Sequence, residues 1–417
     1  MKGYNNYKDS GIEWIGKIPN DWKVIKLKWL TQIKRGASPR PIDDLKYFDE
    51  NGEFSWVRIA DVSASERYLE NTKEKLSELG ASLSVKQYPG DFFLSIAGSV
   101  GKPIITKIKC CIHDGFVWFP ELKINPEYLY YIFQTGLPFI GLGKIGTQLN
   151  LNTETIGNIV IPNLSNEDIK KIVFYLDYKT NLINTTIEKK KRLIELLKEK
   201  RQAVINEAVT KGLNPNAPMK DSGVVWLGEI PVHWEVKKLK YLAKIRNGKD
   251  QKEVLIEEGG YPVLGTGGVF GRASEFLYDK PSVLLGRKGT IDKPFYIEEP
   301  FWTVDTLFYT EIYDNTYPKF LFYLSTTIKF DYYQESSAVP SMTQDNLNNI
   351  HLCYPPYEEQ VEIVNFINDL TSRVDLTLSK ISTQIENMQT YRQSLISEAV
   401  TGKIDVRDWQ PNTEVTQ

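Results

Sequence analysis

Lys8-Asp9-Ser10-Gly11-Ile12-Glu13-Trp14-Ile15-Gly16-Lys17-Ile18-Pro19 recurs 212 residues later as Lys220-Asp221-Ser222-Gly223-Val224-Val225-Trp226-Leu227-Gly228-Glu229-Ile230-Pro231. The match continues through Trp22/Trp234, Val24/Val236, Lys26/Lys238, Leu27/Leu239, Lys28/Lys240 and Leu30/Leu242, so 14 of the 23 positions from Lys8 to Leu30 are identical. Gly36/Gly248 keeps the same spacing. A repeat of this length describes one structural unit used twice. A second match has a different spacing. Arg201-Gln202-Ala203-Val204-Ile205-Asn206-Glu207-Ala208-Val209-Thr210 pairs with Arg392-Gln393-Ser394-Leu395-Ile396-Ser397-Glu398-Ala399-Val400-Thr401 at an offset of 191, with seven of ten identical. That offset also pairs Gly98 with Gly289, Lys102-Pro103 with Lys293-Pro294, and Asp114 with Asp305. The offsets differ by 21, which places an insertion in the first copy between about Gly36 and Asp91. Both ends of each copy match and the middles diverge, as expected of two domains that share a frame but do different specific jobs.

Each copy ends in a heptad pattern. In the second, Ile367, Leu370, Val374, Leu378, Ile381, Ile385, Met388, Leu395 and Ala399 step by three and four, skipping only Arg392. In the first, Ile183, Ile187, Ile194, Leu197, Val204 and Ala208 take the matching places, interrupted by Lys190 and Arg201. This is the seam of a coiled coil. Amphipathic core helices are the alternative, and regular heptads in both copies favour a projecting helix pair. A run of roughly 37 residues would span ~55 Å. Ser165-Asn166-Glu167-Asp168 and Pro355-Pro356 open these helices, and Gly212 and Gly402 stop them.

The bodies read as mixed α and β. Phe92–Ile96, Gly115–Phe119 and Ser282–Leu285 resemble strands between Gly/Pro turns, and Glu127–Phe133 and Pro318–Leu324 resemble short apolar helices. The expected division is a first domain over 1–163, a helix over 164–213, a second domain over 214–354, a helix over 355–403 and a polar, fraying tail over 404–417. The expected fold is α+β, with two homologous domains separated by two long antiparallel coiled-coil helices in a pseudo-two-fold repeat.

With 417 residues, 41% hydrophobic and 25% charged, the chain has room for two or three globular domains. No apolar run approaches the ~20 residues that cross a bilayer. The first six residues lack an apolar signal core, so a cytoplasmic location without membrane partners is expected. Cys110, Cys111 and Cys353 are too few and too oddly placed for a disulfide framework, and with His113, His233 and His351 they form no metal-ligand spacing. The net charge is −2, so any surface for a polyanion must be local.

Catalytic motifs are missing. Tyr354-Pro355-Pro356-Tyr357 resembles the Asn/Asp-Pro-Pro-Tyr/Phe loop of adenine amino-methyltransferases, but Tyr354 cannot accept hydrogen bonds as a carboxamide does. Gly265-Thr266-Gly267-Gly268-Val269-Phe270-Gly271 has the wrong spacing for a dinucleotide loop and reads as an exposed turn. Gly98-Ser99-Val100-Gly101-Lys102-Pro103 is not a phosphate-binding loop. Asp114 and Asp305 recur without a partner that stays beside both, which favours structural hydrogen bonding. No catalytic, cofactor or metal residues are assigned to the chain.

Asp-Ser-Gly-[Ile/Val]-x-Trp-[Ile/Leu]-Gly-x-Ile-Pro-x-x-Trp, present twice, resembles the start of each half of a type I restriction–modification specificity subunit. Glu358-Glu359-Gln360-x-x-Ile363, and Arg-Gln-x-x-Ile-x-Glu-Ala-Val-Thr twice, resemble that family's spacer helices. The resemblance covers nearly the whole chain. It departs at Glu167-Asp168-Ile169, where a Glu-Gln pair is expected.

The resemblance implies a non-catalytic subunit whose two target-recognition domains each read one half of a bipartite site in double-stranded DNA. Its implied partners are two methylation subunits, which transfer a methyl group from S-adenosylmethionine to adenine N6, and two restriction subunits, which use ATP and Mg. Half-sites on a duplex are exchanged by an axis perpendicular to it. The helices should then run antiparallel, and the second should end near Lys8, bringing the chain termini together. From Thr31 to Asn150 the first body holds 14 Lys+Arg and 14 Asp+Glu, so its DNA surface must be a local basic stripe.

Base edges need donors and acceptors on groove-entering loops. The candidates are Lys34, Arg35, Ser38, Arg40, Arg58, Lys102, Thr147, Gln148 and Asn150 in the first body, and Arg246, Asn247, Lys249, Arg272, Arg287, Lys288, Lys293 and Gln344 in the second. Each also fits an ordinary solvated side chain. Trp14, Trp22, Trp226 and Trp234 suit buried anchors that pin each body to its helix, with a partner-binding patch as the alternative. Lys189, Lys190, Lys191, Arg192, Lys198 and Lys200 suit a solvated coiled-coil face, methylation-subunit docking or phosphate contact. Two other functions compete. A self-contained methyltransferase or nuclease would need the missing cofactor loop. A coiled-coil scaffold would bind no DNA.

Overall fold

The structure is a computed structural model that describes residues 2–142, 151–333 and 340–411. It divides into two compact units, residues 1–189 with 384–417, and residues 190–383. Two long helices, Asn166–Lys211 and Tyr357–Val400, each give one part to each unit. The first has 46 residues and is about 69 Å long. It starts where the Ser165 cap placed it and outruns the 37-residue heptad run at its N-terminal end, where Ile169, Ile172, Tyr175 and Leu176 are buried in the first unit.

In the first unit a five-stranded sheet runs in the order Lys34–Arg35, Phe116–Trp118, Phe92–Ser95, Pro103–Thr106, Tyr68–Leu69. A four-stranded sheet runs Glu74–Leu76, Phe54–Val57, Cys110–Ile112, Val85–Gln87. All four residues of Phe92–Ser95 and all four of Pro103–Thr106 are buried, which explains why each is apolar up to its last residue. The helix Pro126–Gln134 is capped by Asn125 and buries Tyr128 through Phe133.

The second unit has Ala243–Asn247, Leu307–Ile312, Ser282–Gly286 and Phe295–Ile297 in one sheet. Leu255–Ile256, Gly268–Ala273, Tyr261–Gly265 and Trp302–Thr303 form another. The glycine-rich stretch is the hairpin turn of this sheet. The helix Pro318–Ser325 is the counterpart of Pro126–Gln134. The repeat also survives in register: Lys23 pairs with Asn163, and Glu235 with Tyr354. Tyr354 is thus a strand residue leading into a helix.

The heptad positions are buried or half-buried along both long helices, while most residues between them are exposed. In the second unit Gly212 approaches Glu359 and Arg201 meets Asp375, so the helix segments run antiparallel. In the first unit Arg392 donates to Asn184, whereas Tyr175 feels the charge of Glu398, giving the same sense. Both seam arginines use the same device. Arg201 Nη1 lies 3.4 Å from Asp375 Oδ1, and Arg392 Nη1 binds Asn184 Oδ1, at residues related by the 191 offset. The Nε atom of each is buried without a partner. A polar seam residue of this kind costs stability and fixes register.

Trp22 and Trp234 are 3% and 0% exposed, and lie under Gly402 and Gly212, where the long helices stop. Those glycines have φ of +73° and +78°, the left-handed conformation of a helix C-terminus. The buried-anchor role therefore holds for this pair, while Trp14 and Trp226 are half-buried.

The described ends of the chain meet in the first unit, where the Asp405 amide donates to the Lys2 carbonyl at 3.0 Å. The stretch after Ile404 is packed rather than frayed as far as Trp409. Val406 is buried, and Trp409 stacks edge-on against Tyr175 with ring centroids 4.9 Å apart. Trp409 seats the segment on the helix, and the Asp405 amide and the Arg407 guanidinium, 4.7 Å from the Tyr4 ring centre, hold it to the start of the chain. Among the described residues no helix is long and apolar enough to cross a membrane.

Candidate nucleic-acid interface

One turn recurs in both units. In the first it spans His113–Phe116, closed by the Phe116 amide on the His113 carbonyl. Gly36 N donates to Phe116 O, Ala37 N to Ile112 O, and Ile96 N to Gly115 O. In the second the turn is Val304–Leu307. Gly248 N donates to Leu307 O, Lys249 N to Thr303 O, and Arg287 N to Thr306 O. The same hydrogen bonds, related by the two offsets, hold both turns. The repeated glycine is explained here, because a Cβ on Gly36 would strike the His113 carbonyl, and one on Gly248 the Val304 carbonyl.

Different side chains surround the two turns. In the first unit Arg35 Nε donates to the Asp114 carbonyl at 2.6 Å. Ser38 Oγ and Arg40 Nη2 reach the Asp114 carboxylate at 3.3 and 3.2 Å. Arg58 is tied through Nε to Glu74 Oε2, which raises its pKa. Ser38, Arg40, Trp56, Arg58, His113 and Asp114 line one cleft of about 370 Å³. His113 is held below its ordinary pKa by burial, against the opposing pull of Asp114, and its Nδ1 accepts from the Gly115 amide. Asp114 is engaged in hydrogen bonding within the unit, as its recurrence suggested, and carries an ion pair with Arg40 as well. The partners of its carboxylate, Ser38 and Arg40, come from a loop that the repeat does not share, so comparing the copies could not find them.

Other candidates in the first unit lie apart. Lys34 stands on the edge strand, 5.8 Å above the Trp118 ring. Lys102 donates to the Ser63 carbonyl at 3.0 Å, and burial lowers its pKa. Thr147, Gln148 and Asn150 lie outside the described residues.

In the second unit Arg287 Nη1 donates to the Asp305 carbonyl at 3.2 Å, with the guanidinium 6.0 Å from the Phe308 ring centre. Lys249 flanks the same turn and is exposed, as is Asn247 at the preceding strand end. Lys288 is exposed and bridges to Ser341. Arg246 pairs with Glu311 at 2.9 Å. Arg272 and Lys293 are exposed elsewhere on the unit. Gln344 is engaged structurally, donating to the Ile245 carbonyl at 2.9 Å. The long-helix cations Lys189, Lys191, Lys198 and Lys200 are exposed, and Arg192 pairs with Glu195 on its own helix.

The three cysteines are buried free thiols, each pushed up to about 12 by burial, and so are inert packing groups.

Two copies of one frame with unlike side chains at equivalent turns is the arrangement that the family comparison explains. The type I restriction modification DNA specificity domain matches residues 19–197 and again 231–387. The chain belongs to this family. It is similar over 94% of its length to the type I restriction enzyme MjaIX specificity subunit of Methanocaldococcus jannaschii, at 24% identity and covering 96% of that protein. It matches the EcoDI specificity subunit of Escherichia coli at 21% identity, over 93% of this chain and 90% of that one. A solved structure concerned with complex assembly and conformational transition of the type I R-M system superposes with a TM-score of 0.73 at 15% identity, covering 93% of this chain and 99% of that one. The crystal structure of the HsdS subunit from Thermoanaerobacter tengcongensis gives 0.55 at 16% identity, covering 93% and 98%. As a specificity subunit the chain is a non-catalytic part of a type I restriction system. The departure at Glu167-Asp168-Ile169 also has a local cause. In the second unit Glu359 Oε2 accepts from Trp234 Nε1 at 3.0 Å and Gln360 Oε1 accepts from the Tyr317 amide at 2.8 Å. In the first, Asp168 bonds Ser165 at the helix start and Ile169 is buried.

Proposed function

We propose that each unit of this specificity subunit reads one half of a bipartite, asymmetric site in double-stranded DNA. The chain brings that site to two methylation subunits, which methylate adenine N6 with S-adenosylmethionine, and to two restriction subunits, which use ATP and Mg. The observation that carries the reading is the pair of equivalent turns, held by the same backbone bonds and ringed by different polar side chains. A common frame keeps two readers in equivalent places, and unlike side chains let each half-site have its own sequence. Exposed donors stand at both turns, Arg40 paired with Asp114 in the first unit and Lys249 in the second, and Lys249 adds local positive charge on a chain of net charge −2. Assembly with the methylation subunits would supply further phosphate contacts.

The test is a methylome. The chain is expressed with its neighbouring methylation subunit in a methylation-free host, beside the methylation subunit alone. N6-methyladenine in one split motif, only when this chain is present, is the expected result. Identical methylation with and without it would leave the coiled-coil scaffold reading in its place.

A further inference from the structure

We infer that Arg40 reads a guanine in the first half-site and that Asp114 is its positioning residue, an inference that rests on the DNA-reading role above. Arg40 is the most exposed of the paired arginines around the cleft, with 79% of its side chain accessible, and one guanidinium edge is tied to Asp114 Oδ2 at 3.2 Å. A free surface arginine samples many rotamers, and ordering it on a base costs part of the contact. A carboxylate tether reduces that cost by holding the fork in place beforehand. Asp114 can do so because its own position is set by backbone. The turn that carries it is fastened by the Gly36, Ala37 and Ile96 amides, and its carbonyl is held by Arg35. Ser38 Oγ holds the other carboxylate oxygen at 3.3 Å.

Guanine is the base that suits this donor. Its O6 and N7 are adjacent acceptors in the major groove, whereas adenine places its N6 donor beside N7 and would oppose a guanidinium. A tethered carboxylate also repels phosphate, which directs the pair toward a base edge rather than the backbone. Arg58 lines the same cleft and is the competing reader. Its Nε is tied to Glu74 and its side chain is 46% exposed. Asp43 and Asp61 also act on its charge, so three carboxylates compete with a base for Arg58.

The experiment uses the chain with its methylation subunits and measures N6 methylation across every single-base variant of the site. The unaltered chain should give a split motif with a required guanine in one half. Arg40→Ala should lower discrimination for that guanine by roughly ten- to a hundredfold and leave the other half unchanged. Arg40→Lys should not restore it, since the charge remains and the fork is lost. Asp114→Asn should keep guanine as the preferred base with several-fold weaker discrimination, a change in base preference that mere loosening of the fold would not confine to one position. An unchanged second half-site reports that each variant is folded. The inference is overturned if Arg40→Ala keeps full guanine preference, or lowers methylation equally for all bases as a phosphate contact would. It is overturned equally if Arg58→Ala and not Arg40→Ala releases the guanine, or if neither half contains a required guanine. Absence of any split motif with the unaltered chain would instead remove the DNA-reading role itself.

Discussion

Around Asp114 the first unit gathers Arg35 from the edge strand and Ser38 and Arg40 from the loop after it, with Arg58 across the cleft. Around Asp305 the second unit places Arg287, which arrives from the neighbouring strand at the position equivalent to Ile96. The backbone clamp is shared and the source of the guanidinium is not. The second sheets differ in the same way. Cys110–Ile112 lies parallel to Phe54–Val57, and Trp302–Thr303 lies parallel to Tyr261–Gly265, so one central pairing is kept. Glu74–Leu76 and Gly268–Ala273 flank that pairing on the same side, and beyond the shared strands the first unit adds Val85–Gln87 at one edge and the second Leu255–Ile256 at the other. Backbone bonds that do not depend on side-chain identity can persist while the surface diverges. That is how one frame can carry two specificities.

The comparison breaks first at the anchors. Trp22→Ala and Trp234→Ala should each destabilise their own unit by about 3–5 kcal/mol, the cost of removing a buried aromatic side chain. Chemical unfolding should show the loss, and Trp234→Ala also leaves Glu359 without its indole partner. An equal and negligible loss at both would show that the helix stops do not rest on these rings. The shared clamp is the next target. Gly36→Ala and Gly248→Ala should each cost about 1–3 kcal/mol, because the added methyl meets a carbonyl of the turn rather than a movable side chain. Melting curves that shift for only one of them would mean that the two frames are less alike than their hydrogen bonds suggest.

The smallest effect distinguishes the two turns by pH. His113 occupies the place of Val304, and burial holds its pKa below the ordinary value. The unfolded chain binds a proton there before the folded chain does, so stability from the neutral ring is present above the unfolded value, about 6.5, and is lost as pH falls below it. Protonation would also remove the Nδ1 acceptor from the Gly115 amide. His113→Val should therefore lose less stability between pH 7 and pH 5.5 than the unaltered chain, read as the difference between their melting temperatures. Equal losses would place the pH dependence elsewhere.

The duplication, the helix pair and the core strands were legible in sequence because each leaves a local mark. Trp22 and Trp234 recur at one spacing, Ile381 and Ile385 keep heptad phase, and Phe92–Leu94 is an apolar run. The departure of Asp168 and Ile169 from the expected pair was visible, but its partners were not. The candidate list held the arginines that ring both turns. It also held Gln344, whose amide is engaged with the Ile245 carbonyl 99 positions away, and it could not rank them. The tail looked polar because Val406 and Trp409 are too few to make a pattern, and the helix ring Tyr175 and the Lys2 carbonyl that receive the segment lie far away in sequence.

By itself, then, the sequence determined two related bodies, two heptad helices and the absence of recognisable catalytic motifs. Those properties reside in spacing and residue type along the chain. Only the tertiary structure decided that Arg40 meets the Asp114 carboxylate across 74 positions, and that the carbonyl held by Arg35 in the first unit is held in the second by Arg287, which follows a different strand. Such meetings depend on sheet order and turn geometry, which bring distant residues within hydrogen-bonding range and leave no periodic trace in the sequence.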